Sequence, residues 1–280
     1  SIIDRVSVMD LTGMGSFLVP YAISDLTATA GKVKTNAGTA RTPGSDPSLA
    51  YSEVKPYEVN VTQYIDRNLS RLTPVSYYNY IQGMAMRAMR RKVATLIANG
   101  DGQSSPDMYG IKTAKNKAGN AICASISVSA IDENLMDDLF YAYGSDEACG
   151  ENAYLFLNKA DLKAIGKLRN SLKEKIFKMQ RISANEGVID DSGSTTPYSI
   201  MKDLTALSTA TASASAVTPT MIYGDPVNYL LGIFGGFTIR IDSSYKAAER
   251  LDTILGDVMV GGNVIVDKGF VIVNLPKTTN

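Results

Sequence analysis

The stretch from Pro74 to Gly110 constrains this chain more than any other. Tyr78, Ile81, Ala85, Met89, Val93 and Leu96 recur at helical spacing and share one face of a wheel, while Arg87, Arg90 and Arg91 point the other way. Gln82 and Lys92 intrude on the apolar stripe. Pro74 suits the opening turn of a helix, and Asn99-Gly100-Asp101-Gly102 suits its end, with a restart at Tyr109-Gly110-Ile111. At 1.5 Å per residue the span from Pro74 to Asn99 is roughly 38 Å, long for a globular helix. In front of it lies a Gly-, Ser-, Thr- and Pro-rich segment with no convincing helix. An extended arm feeding one long helix reads as a subunit that reaches onto its neighbours, not as a self-contained enzyme.

Composition removes whole classes of chemistry. The 280 residues contain no histidine, which excludes Ser-His-Asp and Cys-His mechanisms and His-ligated zinc. Cys123 and Cys149 are too few for a Cys₄ site or a disulfide framework, so a reducing compartment is the default. Lys and Arg equal Asp and Glu at 28 each, leaving no bulk pull toward nucleic acid or an anionic membrane. The longest nearly apolar run, Tyr229 to Phe237, is far short of a membrane span, and no signal-peptide pattern opens the chain. Without tryptophan, tyrosine and methionine are expected to anchor interfaces. A start at Ser1 points to N-terminal processing or to routine loss of the initiator.

Along the chain, residues 1 to 27 read as an irregular arm with small apolar clusters (Phe17, Leu18, Val19, Ile23). Gly31 to Tyr64 reads as a two-stranded excursion whose second limb alternates Tyr57, Val59 and Val61 with polar residues. Its tip, Gly38 to Ser48, is expected to be a mobile loop. A second helix is predicted from Ser129, with Asp132 as capping-box partner and Ile131, Leu135, Leu139 and Tyr143 inward. Tyr154 to Leu157 reads as a strand, and Asn158 as the cap of a third helix burying Leu162, Ile165, Leu168 and Leu172. Residues 183 to 197 read as a polar loop, and Thr205 to Thr220 as a low-complexity, solvent-facing stretch. Met221 to Tyr223 reads as a strand and Pro226 to Leu231 as a short helical turn. Three strands are predicted to close the chain: Phe237–Asp242, Thr253–Val266 and Phe270–Leu275. The class is α+β with a final antiparallel sheet.

Short motifs yield little chemistry. Gly13-Met14-Gly15 lacks the third glycine and the strand–helix context of a dinucleotide site. Asp101 to Asp107 lacks the ligand spacing and closing Glu of a calcium loop. Asp137 and Asp138 are adjacent on a helix and face different directions, which argues against shared acid–base work. Arg87, Arg90, Arg91 and Lys92, and the Lys/Arg-rich segment Lys159 to Arg181, read first as solvated helix faces and second as phosphate contacts.

Taken in order, these residues resemble the major capsid protein of tailed bacteriophages with the Hong Kong 97 fold. Gly15-Ser16-Phe17-Leu18-Val19-Pro20 resembles that family's N-terminal arm, and Ala40-Arg41-Thr42-Pro43-Gly44-Ser45-Asp46 the tip of its extended loop. Leu96-Ile97-Ala98-Asn99-Gly100-Asp101-Gly102 and Tyr109-Gly110-Ile111 resemble the end of its spine helix and the restart after it. Phe156-Leu157-Asn158-Lys159-Ala160-Asp161 is similar to its strand-to-helix junction. Ile222-Tyr223-Gly224-Asp225 with Phe237-Thr238-Ile239-Arg240-Ile241 is similar to its late Gly-Asp element and following strand.

The resemblance implies a Hong Kong 97-like fold: an N-terminal arm (1–27), an extended β-hairpin loop (28–63), a peripheral domain with the spine helix (64–120), an axial domain (121–235) and C-terminal strands returning to the peripheral domain (236–280). It implies a mature, N-terminally processed structural subunit, not an enzyme and without a cofactor or metal, that self-assembles into an icosahedral shell around phage double-stranded DNA. The partners would be other copies in pentamers and hexamers, non-specifically bound DNA, and portal, maturation protease and decoration proteins, with no membrane. Location would be the virion, after assembly in the bacterial host cytoplasm. Thr39, Arg41, Pro43, Asp46 and Tyr51 of the extended loop would touch neighbours, and Arg87, Arg90 and Arg91 could face DNA. Some relatives weld subunits through a loop lysine and a late asparagine, but here the matching positions read Thr39 and Arg250-Leu251-Asp252-Thr253. The alternatives are an encapsulin-type nanocompartment shell or, in a different class, a soluble enzyme using Asp, Lys or Tyr chemistry.

Overall fold

The computed structural model describes residues 2–24, 46–66, 68, 76–102, 108–144, 149–150, 152–191 and 193–277. Among the described residues, the secondary structure includes three α-helices, four short 3₁₀ helices and thirteen strands in three sheets. The first sheet has four strands in the order β1 (Ser7–Asp10), β11 (Tyr229–Asp242), β12 (Leu251–Val264), β4 (Tyr57–Asp66). Helix α1 (Ser76–Asn99) lies on it, packing against β12 and β4. The sequence periodicity is realised: Ala85, Met89, Val93 and Leu96 are buried, with Ile97 and Ala98 added at the last turn. They share one core with Val59 of β4 and Val258 and Val260 of β12. Gln82 is half-buried, and Lys92 escapes to solvent.

The end of α1 explains its glycines. The amide of Gly110 donates to the carbonyl of Gly100 at 3.0 Å, while the amide of Gly100 still donates to Leu96 at 2.8 Å. A Cβ on Gly100 would collide with the Met108 carbonyl, and one on Gly110 with the Gly100 nitrogen. Two backbones approach here too closely for any side chain.

The second sheet has seven strands in the order β5 (Ala124–Ser127), β13 (Phe270–Leu275), β10 (Thr218–Gly224), β6 (Tyr154–Leu157), β9 (Ser194–Ile200), β8 (Glu186–Asp191), β7 (Lys178–Arg181). Helices α2 (Leu135–Ala142) and α3 (Lys159–Ile165) bury Leu135, Leu139, Leu162 and Ile165 in its core. The chain passes between these two sheets three times, from β4 through α1 to β5, from β10 to β11 and from β12 to β13. At this seam the Asp225 carboxylate caps the turn by accepting from the Val227 amide at 3.0 Å, as Asn158 caps α3 by accepting from the Ala160 amide. Tyr229 is wholly buried beside the turn and donates its hydroxyl to the Tyr109 carbonyl at 2.6 Å.

Several expectations need correction. The N-terminal segment is not irregular. β1 runs parallel to β11, and β2 (Phe17–Ser24) pairs with β3 (Ser48–Val54) in a two-stranded ribbon. Tyr57–Asp66 is therefore not a limb of the excursion but a sheet strand held by β12 along its whole length. Alternation names a strand but not its partner. Helix α2 starts at Leu135 rather than Ser129, because the Asp132 carboxylate turns back to accept from the Asn134 amide at 3.1 Å instead of capping a helix. α3 stops at Ile165, leaving Leu168 half-buried and Leu172 exposed.

Residues 183–197 hold the β8–β9 pair, anchored by buried Ile189 and Tyr198. The stretch after Thr205 is pinned at its start: buried Asp161 accepts from the amides of Leu207 and Ser208 at 3.0 and 2.8 Å. After Pro226–Asn228 the chain is already strand β11, so the helical turn is shorter than expected. Finally, β13 joins the seven-stranded sheet, whereas β11 and β12 join α1.

Candidate functional site

The sequence-nominated residues fall on surfaces. Arg87, Arg90 and Arg91 are exposed on the face of α1 away from the core. With Lys92, Lys202 and the N-terminal Ile2–Asp4 turn they line a cleft of about 790 Å³. Arg90 is not available as a free cation there, since its guanidinium pairs with the Asp4 carboxylate at 2.7 Å, both groups largely exposed. Among the described residues Arg87 and Arg91 form no ion pair. One turn on, Thr95 donates to the Asp203 carboxylate at 2.6 Å, which ties the helix to the second sheet's side of the cleft.

Of the loop residues, Thr39, Arg41 and Pro43 lie outside the described residues. Asp46 is exposed just before β3, and Tyr51 sits in β3 opposite Pro20. The ribbon is sharply two-sided. Its inner side chains, Phe17, Val19, Tyr21, Ala50 and Val54, pack on the body of the subunit. The arm and ribbon therefore pack in part on their own subunit. The outer face carries Leu18, Leu49 and Tyr51, all exposed, beside Pro20 and Ala22. An apolar face left uncovered on a strand pair marks a contact surface.

Two features had no sequence signal. Arg5 reaches from the N-terminal turn to pair with Glu186 at 2.9 Å and stacks over the Tyr154 ring at 4.1 Å, joining the arm to the seven-stranded sheet. On the outer side of the four-stranded sheet, Tyr64, Tyr245 and Leu255 are exposed together, with Lys246 over the Tyr64 ring at 4.7 Å. Long-range pairs of this kind leave no local pattern.

The perturbed titratable groups are dispersed through the core. Burial pushes the Cys123 thiol and the Tyr229 phenol up, and raises Tyr143 to about 12. Burial lowers Lys112 to about 8, its ammonium donating to the Pro219 carbonyl at 3.1 Å. Among the described residues no cluster of three His, Cys, Asp or Glu is placed to hold a metal, and no helix is long and apolar enough to cross a membrane.

A profile of the phage capsid family matches residues 1–275, nearly the whole chain. The chain belongs to that family. This capsid protein is similar in fold to the capsid of an empty GTA particle, at 14% identity and a TM-score of 0.74 over 99% of this chain and 89% of that one. It is also similar to a chain of Microbacterium phage Oxtober96, at 14% identity and a TM-score of 0.65 over 99% of this chain and 90% of that one. For a chain of Mycobacterium phage Bobi the values are 12% and 0.62 over 99% and 90%. A search of curated proteins found no match. The fold is the Hong Kong 97-like capsid fold, as the resemblance implied, and the protein is a structural major capsid protein, a homo-oligomeric component of the virion. The encapsulin reading is not favoured.

Proposed function

We propose that this capsid protein closes into an icosahedral shell of pentamers and hexamers around phage double-stranded DNA, assembled in the host cytoplasm and without catalysis by the subunit. The observation that supports this best is the outer ribbon face, Leu18, Leu49 and Tyr51, an apolar surface that one chain leaves uncovered. Neighbouring copies would cover it and would meet Thr39, Arg41 and Pro43. In this reading residues 64–120 with β11 and β12 form the peripheral part, and 121–228 with β13 the axial part. Portal, maturation protease and decoration proteins would engage the finished shell.

DNA contact falls to Arg87 and Arg91, because Arg90 is held by Asp4. Such contact would be to phosphate, without base reading. Expression of the full chain followed by gradient sedimentation and negative-stain imaging tests the assembly reading. Closed megadalton shells are expected. A protein that stays monomeric at high concentration refutes it.

A further inference from the structure

Charge is segregated within the seven-stranded region in a way that zero net charge conceals. Residues 121–158 contain seven acids and no base, and residues 159–181 contain eight Lys and Arg against two acids. The two blocks pack on different strands of the sheet, although burial and the nearby Asp137 of α2 raise the Asp191 carboxyl on β8, beside β7. The acidic block includes α2, which packs on β5, the strand at one edge of the sheet. The basic block ends in β7, the strand at the other edge.

At the β7 side lies a cleft of about 1040 Å³. Lys159, Lys163, Lys167, Lys175 and Arg181 all contribute to its wall and all are exposed. Met179 and Ile200, both partly exposed, supply apolar surface inside it over the buried Phe177 and Tyr198. Among the described residues no carboxylate lines this cleft and none of the five cations forms an ion pair. The neighbouring acids are already engaged: Asp161 accepts from the Leu207 and Ser208 amides, Glu174 accepts from the Asn170 amide nitrogen, and Glu186 pairs with Arg5. Ile182, next to Arg181, is 75% exposed.

The opposite edge presents the complement. On α2, Asp137 and Asp138 are exposed, and Phe140 and Tyr141 stand 63% and 81% exposed with their rings edge-to-face at 5.6 Å. Residues three and four apart share a helix face, so each carboxylate sits beside an aromatic ring. Two large aromatics left in water on a short helix are anchor groups awaiting a pocket.

We propose that α2 of one copy docks into the basic cleft of the next, with Phe140 and Tyr141 on the Met179–Ile200 surface and Asp137 and Asp138 among the lysines. The contact is head-to-tail, joining different patches of identical chains, and such a contact closes into a ring when its rotation permits. This interface rests on the shell reading above and names the surfaces that would build its capsomers.

The test uses the full chain and reversals at exposed positions, where the fold tolerates substitution. Lys163→Glu with Lys167→Glu should cut the assembled fraction on a sedimentation gradient by about tenfold or more, since like charges then face each other. Asp137→Lys with Asp138→Lys should do the same. All four changes in one chain restore opposite charges and should recover most of the assembly. Thermal melts followed by circular dichroism confirm that each variant folds. Mixing the two defective double variants gives a further readout, because each then offers the other one intact pairing and one reversed pairing, and alternating rings should form. If wild-type chains assemble while the reversals assemble equally well, or if neither the four-fold variant nor the mixture recovers, this interface is wrong and the shell reading stands. If the wild type itself stays monomeric, the shell reading falls and takes the interface with it.

Discussion

Helix α1 and the β2–β3 ribbon are both two-sided, yet they dispose of their apolar residues differently. On α1 the apolar stripe from Ala85 to Ala98 is absorbed within the subunit, and the far side carries Arg87, Arg90 and Arg91, with Tyr80 and Met84 exposed only toward its start. On the ribbon both sides are apolar, and only the side bearing Phe17, Val19, Tyr21 and Val54 is covered. Leu49 and Tyr51 remain in solvent on the other. A single chain covers the stripe from Ala85 to Ala98; it leaves the outer ribbon face open, and the proposed shell assigns that face to another copy. The difference separates residues that make the fold from residues that make the shell.

The largest effect should come from the helix. Ile97→Ala removes a fully buried side chain from the core shared by α1, β4 and β12. It should lower subunit stability by about 2–5 kcal/mol, read as a reduced denaturant midpoint at unchanged slope. Assembly should fall with it, because a less stable subunit is less available. A stability loss under about 1 kcal/mol would show that the core relaxes around the gap.

The ribbon should behave in the reverse manner. Leu49→Ser with Tyr51→Ser should leave the isolated subunit within about 0.5 kcal/mol of wild type, since both side chains are exposed. If neighbours bury even half of this surface, each contact loses about 2–3 kcal/mol, enough to abolish shells at ordinary concentrations. Equal damage to subunit melting and to assembly would erase the contrast between the two regions.

How much of this contrast can be read from the sequence follows from the range of each interaction. The α1 stripe, the Gly100 stop, the Asn158 cap and the turn at Asp225 are all local, set within a few residues, and all are legible. Strand partners are not. Tyr57–Asp66 shows its alternation plainly, but its pairing with β12 lies nearly two hundred residues away, and nothing in the alternation points there. The β8–β9 pair hides behind polar residues because two anchors, Ile189 and Tyr198, suffice to hold it. The cleft beside α1 is legible only in part, since the arginines show in the periodicity whereas Asp4 reaches Arg90 through tertiary folding.

A third test sharpens the interior side of the comparison through pH. Lys112 titrates near 8 in the folded chain against an ordinary 10.5, so between these values the unfolded chain holds more protons and stability rises with pH. Cys123 and Tyr229 are shifted the other way, and their contribution falls with pH above the ordinary values of 9.0 and 10.0. Lys112→Met removes a desolvated charge at the cost of its bond to Pro219 and should stabilise the subunit by about 1–2 kcal/mol at pH 7. That advantage should shrink as pH climbs from 8 toward 10.5. A constant difference across this range would mean that the amine is solvated.

The smallest effect belongs to the polar face of α1. Arg87 and Arg91 are exposed, and exposed charges are screened by salt, so each phosphate contact adds little to the stability of a filled shell. Arg87→Gln with Arg91→Gln should leave subunit melting and empty-shell assembly unchanged. Its effect should appear in the salt dependence of DNA binding by disassembled subunits: losing two phosphate contacts lowers the slope of log affinity against log salt by about 1.8. Arg90→Gln should alter that slope least, because its guanidinium is already engaged by Asp4, and should instead loosen the N-terminal turn. An equal change of slope for all three arginines would show that the Asp4 pair opens in favour of phosphate. An unchanged slope in the double variant would assign this face to solvent and leave DNA contact to other parts of the subunit.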